Sequence, residues 1–441
     1  MKQITFIGAG SMGFTRGLVR DILTYPALSD THFSLMDIDP ERLAAIEHDV
    51  KRIIAESGSK ATVSATTDRT KAIIGSDAVV CTVLVGGTQT FRHDLEIPKK
   101  YGVDLNSGDT RGPGGIMRAL RTMPVLLDIC KDMEQYCPNA ILLNYTNPMN
   151  ILCKILGMST SIRYVGLCHS VQNAVEKIAE WTGLPQDELD YFSAGLNHQA
   201  WLLKITHQGK DISPLIRQAI DRPEVYNEDP VKCDTFRYLG YYSTEEGGQN
   251  SEYNQWFRKR PDLVARYDHA TGFNPGRWGF EIEAYEEKDR TWKQSLEEWN
   301  NQPLDLKRGK EYASGILNAI MGDHTMITFN GNLLNKGYIT NLPYDACVEV
   351  PILASRRGLE PLHVGDLPQH LAIINNTNAR CETLAAEGAI EGDIKKIFYA
   401  IANDPLTSAV CSLDEIKAMT EELMWQNRAY LPQFKTLKLD L

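Results

Sequence analysis

The sequence has little of what would assign the chain to a membrane, to a nucleic-acid partner or to an oxidising compartment. No apolar run reaches 18 residues, which excludes an ordinary membrane-spanning helix. Acidic residues outnumber basic ones, 57 against 46, and the net charge of −11 argues against a nucleic-acid partner. Nine irregularly spaced cysteines, an odd number, favour free thiols over a disulfide framework. Because the N-terminus begins directly with a strand-like run and a glycine turn, we expect no signal peptide and a cytoplasmic protein.

The length and composition are those of a globular protein larger than one compact core. At 441 residues, with 43% hydrophobic and 23% charged residues, the chain is expected to form two domains. The first half alternates short apolar runs with helical patterns, and this rhythm changes after about residue 190. We therefore predict one domain over residues 1–190 and a second over 191–441, which share an extensive interface.

Five apolar runs in the first half predict the strands of a parallel sheet. They read "ITFIG", "FSLMD", "AVVCTVLVGG", "AILLNY" and "RYVGLC". The runs are continuous rather than alternating, as expected for strands buried on both faces, and helical stretches separate them. The predicted fold is α/β, with an N-terminal Rossmann-like doubly wound sheet resembling lactate and malate dehydrogenases and a C-terminal α+β domain for substrate binding and oligomerisation.

A glycine turn follows the first predicted strand and precedes a helix. In "GAGSMG" the glycines Gly8, Gly10 and Gly13 have G-x-G-x-x-G spacing. The first glycine permits a tight turn, the second lets the backbone approach a pyrophosphate, and the third allows close helix–strand packing. The second strand ends in Asp37, whose carboxylate suits ribose hydroxyls and repels a 2′-phosphate. We expect Gly8, Gly10, Ser11, Gly13 and Asp37 to bind NAD; the alternative is a turn that only packs a helix on a strand.

A cysteine and a histidine stand side by side where the fifth run ends, in "GLCHSV", and a second histidine follows in "GLNHQAW". Cys168 should face the cofactor edge of the sheet, and His198 lies in a segment that reads as a strand. A thiolate and a neutral imidazole suit a divalent transition ion. A buried structural cysteine and a core histidine are the alternative, because the spacing of the pair is not diagnostic.

Other polar residues occupy similar places. Asp109 and Arg111 lie in the glycine-rich "NSGDTRGPGG", and Asn144 and Asn147 lie at the end of a strand in "NYTNPMN". Asp109 is either a functional carboxylate or a turn-forming side chain, and Asn147 is either a ligand contact or a helix N-cap before Pro148. Arg111 either pairs with a substrate carboxylate or anchors the loop.

These segments together resemble glycoside hydrolase family 4, the NAD- and metal-dependent glycosidases. The resemblance rests on "ITFIGAGS", "LMDID", "GDTRGPGGIMRALRTMP", "NYTNPM", "GLCHSV" and "GLNH", and it continues through "NLPYDACVEVP" and "PLHVGDLPQHLA". Within the family the chain is most similar to bacterial α-galactosidases, which share Cys-His-Ser-Val. Members that act on phosphorylated sugars have Cys-Asp or Cys-Asn there. The resemblance therefore implies hydrolysis of unphosphorylated α-galactosides of the melibiose and raffinose type.

The resemblance also implies an oxidative route that differs from the two-carboxylate scheme of other glycosidases. NAD takes a hydride from C3 of the sugar, a divalent ion, expected to be Mn²⁺, polarises the resulting ketone, and a base removes the acidified C2 proton. The aglycone then leaves by elimination, water adds, and the hydride returns. Family members also form homodimers or homotetramers.

The roles carried over by the resemblance fall on a small set of residues. Cys168 and His198 match the metal ligands; Asp109 and Asn147 match residues that contact sugar hydroxyls beside the nicotinamide and the metal. Asp109 is also counted among the catalytic residues, and Asn147 among those that bind NAD. His169 stands where phosphate-recognising members have an acid, so it is expected to donate a proton or bind a hydroxyl. Arg111 is also counted among the substrate-binding candidates. The base departs from the family's common tyrosine: by register we predict Glu246, with Glu245 and Tyr253 as alternatives.

Three other functions stay open at this point. An α-glucosidase or α-galacturonidase of the same family differs by a few pocket contacts that motifs do not resolve. A plain NAD-dependent hydroxyacid dehydrogenase shares the βαβ beginning, and a regulatory protein that only senses NAD would share it as well. Neither of the last two needs a thiolate–imidazole pair, which argues against both.

Overall fold

The structure of the chain is a computed structural model that describes residues 1–272 and 274–440. Its centre is a sheet of six parallel strands in the order β3-β2-β1-β4-β5-β6. Their bounds are β1 Gln3–Ile7, β2 His32–Met36, β3 Thr62–Thr66, β4 Ala78–Cys81, β5 Ile141–Asn144 and β6 Arg163–Gly166. This is the strand order of a doubly wound dinucleotide-binding fold, so the predicted fold class is confirmed.

The sheet does not stop at β6 but continues into the second half of the chain with antiparallel strands. The further strands are β7 Leu189–Leu196, β8 Gln199–His207, β9 Lys210–Asp211, β10 Tyr242–Ser243, β11 Ile327–Leu334, β12 Cys347–Ser355 and β13 Gly358–Pro361. β11 joins β6 through the single pair Asn332–Gly166, and β7 joins β12 through Gly195–Glu349. One continuous sheet therefore runs through both halves of the chain, and the boundary near residue 190 stays a prediction.

Helices cover both faces of the sheet. In the first half they are α1 Met12–Leu23, α2 Pro40–Ser57, α3 Arg69–Ile73, α4 Gly87–Lys100, α5 Gly112–Tyr136, α6 Met149–Ser159 and α7 Ser170–Thr182. In the second half they are α8 Ser213–Ile220, α9 Pro223–Glu228, α10 Pro230–Leu239, α11 Gly247–Asn250, α12 Pro261–Tyr267, α13 Phe280–Asn300, α14 Tyr312–Met321, α15 Gln369–Glu391, α16 Ile394–Ala402, α17 Pro405–Val410 and α18 Leu413–Asn427. Short 3₁₀ turns lie at Pro26–Leu28, Gln186–Glu188 and Arg428–Tyr430.

The central strands are buried on both faces, as their continuous apolar runs predict. In β4, Val79 and Cys81 pack into the core on one face of the sheet, whereas Ala78 and Val80 pack into the core on the other. Successive side chains of a strand point to opposite faces, so one short apolar run contributes to two cores. Each fully buried Val, Leu, Ile or Phe contributes roughly 1.5–3 kcal/mol relative to the exposed side chain.

The second half departs from the sequence-based expectation in two places. "GLNHQAW" is not one strand, because Asn197 and His198 form a two-residue turn between β7 and β8, and His198 has a left-handed φ of 60°. The segment before Trp299, which shows weak periodicity, contains the 21-residue helix α13. Ile282 is the one buried residue of this helix, so its sequence is mostly polar and shows little of the apolar periodicity that predicts a helix.

Two further expectations concern thiols and membranes. All nine cysteines are free, and seven of them are buried. Over the part of the chain that the structure describes, no helix combines the length and apolarity that crossing a bilayer requires.

Candidate active site

The glycine turn after β1 is shaped by two glycines whose places no other side chain fits. Gly8 has a φ of 84°, and a Cβ there would lie 2.6 Å from the carbonyl oxygen of Thr82. At Gly10 a Cβ would lie 2.8 Å from Asp37 Oδ2, the oxygen that accepts the Gly10 N–H at 2.7 Å. The close packing of the turn at both positions is therefore possible because the side chains are absent.

Gly13 corrects one part of the sequence-based reasoning. A Cβ at Gly13 would meet no atom within 4 Å, so close helix–strand packing is not what this position provides. Ser11 is the N-cap of α1, but its hydroxyl makes no capping hydrogen bond. The beginning of α1 thus has open space at Gly13 beside backbone N–H groups, which fits a pyrophosphate at a helix N-terminus. Asp37 lies next to this turn, and its Oδ1 accepts the Asp39 N–H at 2.9 Å.

The sequence-predicted metal ligands lie together, with a third donor beside them. Cys168 Sγ is 3.3 Å from His198 Nε2, and Glu245 Oε2 is 3.2 Å from the same nitrogen. The three donor atoms lie within 4.8 Å of one another. Donors about 2.0–2.3 Å from one shared ion are separated by about 3–3.7 Å, so these distances suit ligands of a single cation.

Strand pairing explains why residues so distant in sequence meet. Gly166 pairs with Asn332, Asn332 with Glu349, and Glu349 with Gly195, so one row of residues crosses four strands. Cys168 follows this row on β6, and the turn with His198 follows it on β7. On the other side of that turn, Ser243 of β10 pairs with Trp201 of β8, which brings Glu245 alongside the turn.

The two ring nitrogens of His198 face different groups. Thr110 Oγ1 donates to Asp109 Oδ1 at 2.8 Å, and it lies 3.0 Å from His198 Nδ1. Nε2 faces Cys168 and Glu245. A metal bound at Nε2 would require the proton on Nδ1, where the Thr110 hydroxyl could accept it. Burial raises the pKa of the Cys168 thiol, whereas a coordinated metal would deprotonate it.

Asp109 and Asn147, both predicted to contact the sugar, touch each other. Asn147 Nδ2 donates to Asp109 Oδ2 at 3.1 Å, and Arg118 Nη1 lies 3.6 Å from that oxygen. Burial by itself would raise the pKa of Asp109, but Arg118 and the neighbouring polar groups outweigh it and the pKa is lowered. Asp109 is therefore ionised at neutral pH. Asn147 is not an N-cap, since Pro148 occupies that position of α6.

The loop that carries Asp109 is held by a buried carboxylate, Glu252. Its Oε2 accepts the N–H groups of Asn106 at 2.8 Å and Ser107 at 3.1 Å, and its Oε1 accepts that of Gly108 at 2.9 Å. Burial raises the pKa of Glu252 to about 8, against the lowering effect of these N–H donors. Three backbone donors of an irregular buried segment are thus satisfied by one side chain.

The three candidates for the base differ in their surroundings. Glu246 is the N-cap residue of α11, and burial together with Glu245 raises its pKa to about 7. Tyr253 is fully buried, and its hydroxyl lies 3.4 Å from His198 Nδ1, on the side of the ring away from Cys168. Burial raises the pKa of Tyr253 well above 10. Tyr253 therefore contacts His198 at Nδ1, whereas Glu245 contacts it at Nε2, and Glu246 follows Glu245 in the chain.

His169 follows Cys168 and pairs with a carboxylate that the sequence did not suggest. His169 Nδ1 is 3.3 Å from Glu311 Oε1, and the imidazole side chain is 41% exposed. The hydrogen bond with Glu311 raises the pKa of His169. The residue thus has an accessible ring next to the candidate metal ligands.

Arg111 makes the contacts of a loop anchor. Its Nε is 2.8 Å from Glu382 Oε1, its Nη2 donates to the carbonyl of Asn197 at 2.6 Å, and its guanidinium lies 4.6 Å from the centre of the Tyr253 ring. The side chain is 3% exposed. These contacts favour the anchoring alternative, and a direct substrate contact stays a prediction.

Several functional residues have no signal in the sequence. Thr110 and Glu252 act through hydrogen bonds to other residues, and neither lies in a spacing that predicts this. Glu245 is adjacent to the predicted base, but only the pairing of β10 with β8 reveals that it faces His198. A cross-strand contact of this kind is invisible until the register is known.

Comparisons with known proteins identify the family of the chain. Residues 3–184 match the family described as Family 4 glycosyl hydrolase, and residues 193–407 match the Family 4 glycosyl hydrolase C-terminal domain. The chain is 38% identical to an alpha-galactosidase of Bacillus subtilis (strain 168) over 99% of this chain and 100% of that protein. It is 36% identical to an alpha-galactosidase of Rhizobium meliloti (strain 1021), over 98% of this chain and 89% of that protein.

Solved structures share the fold. A 6-phospho-alpha-glucosidase from gut microorganisms, in complex with NAD and Mn²⁺, superposes with a TM-score of 0.80 at 20% sequence identity, covering 98% of this chain and 100% of that one. At this identity the likeness concerns the fold alone.

Proposed function

The chain belongs to family 4 of the glycosyl hydrolases, and from that premise we propose that it hydrolyses unphosphorylated α-galactosides of the melibiose and raffinose type. The observation that carries the proposal is the convergence of Cys168 Sγ with His198 Nε2 at 3.3 Å, since a soft donor pair beside a sheet edge has no use in direct-displacement hydrolysis. The identity of 38% to an alpha-galactosidase along its whole length supports the choice of sugar.

The residues present fit both a dinucleotide and a divalent ion. Gly8, Gly10, Ser11 and Gly13 would hold the pyrophosphate of NAD, with Asp37 at the ribose, and Cys168 and His198 would hold Mn²⁺. When bound, NAD supplies reversible hydride acceptance at C3 of the sugar, and the ion supplies Lewis acidity towards the C3 oxygen.

The side chains of the protein would orient the sugar and move protons. Asp109, ionised and joined to Asn147, accepts hydrogen bonds from sugar hydroxyls, and Asn147 keeps an amide oxygen for the same purpose. Glu246 takes the proton from C2, and His169 gives a proton to the glycosidic oxygen. A carboxylate thus acts as the general base and an imidazole as the general acid, and both groups commonly serve in these roles.

The charge of the site favours a neutral sugar. Burial, and then the charge of Glu245, raises the pKa of Glu246 to about 7, and burial followed by Asp109 raises that of Glu281 to about 7. A galacturonate carboxylate or a sugar phosphate placed there would meet like charge in a partly buried site, which rejects anionic substrates.

Compartment and assembly belong to the same proposal. We propose a cytoplasmic enzyme, because nine free thiols suit a reducing compartment, and a homodimer or homotetramer, as in the resembling family.

A panel of nitrophenyl α- and β-glycosides tests the proposal, with and without NAD, Mn²⁺ and a thiol reductant. Release of nitrophenol from the α-galactoside alone, lost on chelation and restored by Mn²⁺, is the expected result. Hydrolysis that persists without NAD and metal would refute it, and NADH formation without nitrophenol release would indicate a dehydrogenase. Substrate deuterated at C2 should exchange its deuterium for solvent protons, which direct displacement would not produce.

A further inference from the structure

Glu245 has one oxygen fixed and one oxygen directed at the metal-binding nitrogen. Oε1 accepts the backbone N–H of Glu246 at 3.1 Å, and Oε2 lies 3.2 Å from His198 Nε2. The side chain is 13% exposed, so little of it is solvated. A carboxylate held in this way presents one oxygen in a set direction, as a monodentate metal ligand does.

The oxygen of Glu245 shares the space between the two candidate ligands. Cys168 Sγ lies 3.3 Å and Glu245 Oε2 lies 3.2 Å from His198 Nε2, and the three donor atoms lie within 4.8 Å of one another. A single divalent cation in this space could bind a thiolate, an imidazole nitrogen and a carboxylate oxygen at once.

From this arrangement we infer that Glu245 is a third protein ligand of the divalent ion, next to Cys168 and His198. The inference rests on the proposed function, since it concerns the metal of that site. Catalytic sites often combine three protein ligands with open positions for water or substrate. A thiolate and a carboxylate together balance the two charges of the ion, whereas Cys168 alone leaves one uncompensated.

The role excludes Glu245 as the base for the C2 proton, because its free oxygen is used by the ion. Glu246, whose backbone N–H donates to Glu245, is then the remaining carboxylate among the three candidates for the base. The two neighbouring acids thus divide the work between metal binding and proton transfer.

Mn²⁺ affinity of the full-length protein tests the inference, measured by electron paramagnetic resonance of free Mn²⁺ and by calorimetry. Glu245→Gln removes the charge while keeping the size, and Glu246→Gln is the matched control one residue away. Residues behind metal ligands are each worth about 10–100-fold in affinity, so Glu245→Gln should weaken Mn²⁺ at least about 10-fold. Glu246→Gln should bind Mn²⁺ within about 3-fold of the wild type. Activity of Glu245→Gln should recover with excess Mn²⁺, and that of Glu246→Gln should not.

The outcomes separate this inference from the proposed function. If the wild type itself does not bind Mn²⁺, the proposed metal site fails. If the wild type binds and Glu245→Gln binds equally well but no longer exchanges the C2 proton, Glu245 is the base and the inference is overturned. Glu245→Asp provides a second variant, which retains the charge on a shorter arm and should bind more tightly than Glu245→Gln; circular dichroism confirms that each variant is folded.

Discussion

Replacing Thr110 with valine tests how the protein orients His198, the histidine proposed to bind the metal. The change swaps a hydroxyl for a methyl group of similar shape, so packing is preserved at a residue that is only 1% exposed. Two hydrogen bonds disappear, the 2.8 Å bond to Asp109 and the 3.0 Å bond from His198 Nδ1. The tautomer with a bare Nε2 then loses its main support.

The expected loss of Mn²⁺ affinity depends on the hydrogen-bond partners that His198 and Asp109 keep in the variant. Tyr253 still offers its hydroxyl to Nδ1 at 3.4 Å, and Ser107 still donates to Asp109 at 2.9 Å, so neither group is orphaned. The loss in Mn²⁺ affinity should therefore lie at about 10-fold, the low end of the range for groups behind metal ligands, or about 1.4 kcal/mol. Combining it with Tyr253→Phe removes both partners of Nδ1 and should raise the loss to about 100-fold.

Titration of Mn²⁺ into the wild type, Thr110→Val and Thr110→Ser measures this effect. Serine retains the hydroxyl and should bind Mn²⁺ nearly as tightly as threonine. Equal affinity in Thr110→Val and the wild type would refute the reasoning, because it would show that the hydroxyl does not select the tautomer of His198.

Three further expectations follow from the same contacts. Gly8→Ala should abolish NAD binding, measured by fluorescence titration, because its φ of 84° and a Cβ 2.6 Å from a carbonyl oxygen displace the turn, whereas Gly13→Ala should stay folded with unchanged stability. Glu252→Ala leaves three buried N–H groups without an acceptor and should lower the free energy of unfolding by about 3 kcal/mol or more in urea titrations. Burial raises the pKa of Glu349 to about 7, above its value in the unfolded chain. The stability that the protonated Glu349 contributes is therefore fully present below about pH 4.5 and is lost as the pH rises to about 7. In thermal melts with a chelator present, Glu349→Gln should melt at the same temperature as the wild type at about pH 4.5 and at a higher temperature at about pH 8.

The parallel part of the fold, and the proximity of Cys168 to His198, could be predicted because their signals are local. Continuous apolar runs mark β1, β2, β4, β5 and β6, and residues at the ends of such strands share one edge of the sheet. The edge strand β3 is partly exposed and lacks such a run, so its sequence "TVSAT" gives no comparable signal.

The remaining site residues could not be predicted because their neighbours depend on long-range pairing. Glu349 and Asn332 enter the row between β6 and β7 from positions more than 130 residues further along the chain. No periodicity in "GLNHQAW" indicates that the strand turns back at His198, since the residues on both sides of the turn are apolar. The expectation that Gly13 allows close helix–strand packing was wrong for a related reason, because the space around a glycine depends on the whole fold.

The seam between β6 and β11 limits how the enzyme can be rebuilt. Among the described residues a single pair, Gly166 with Asn332, joins the parallel strands to the antiparallel ones. Cys168 lies on one side of this seam and His198 on the other. In a chimera with its first half from this chain and its second half from a relative, the two candidate metal ligands would therefore come from different proteins. Engineering of sugar preference is better directed at side chains within an intact chain than at the exchange of halves.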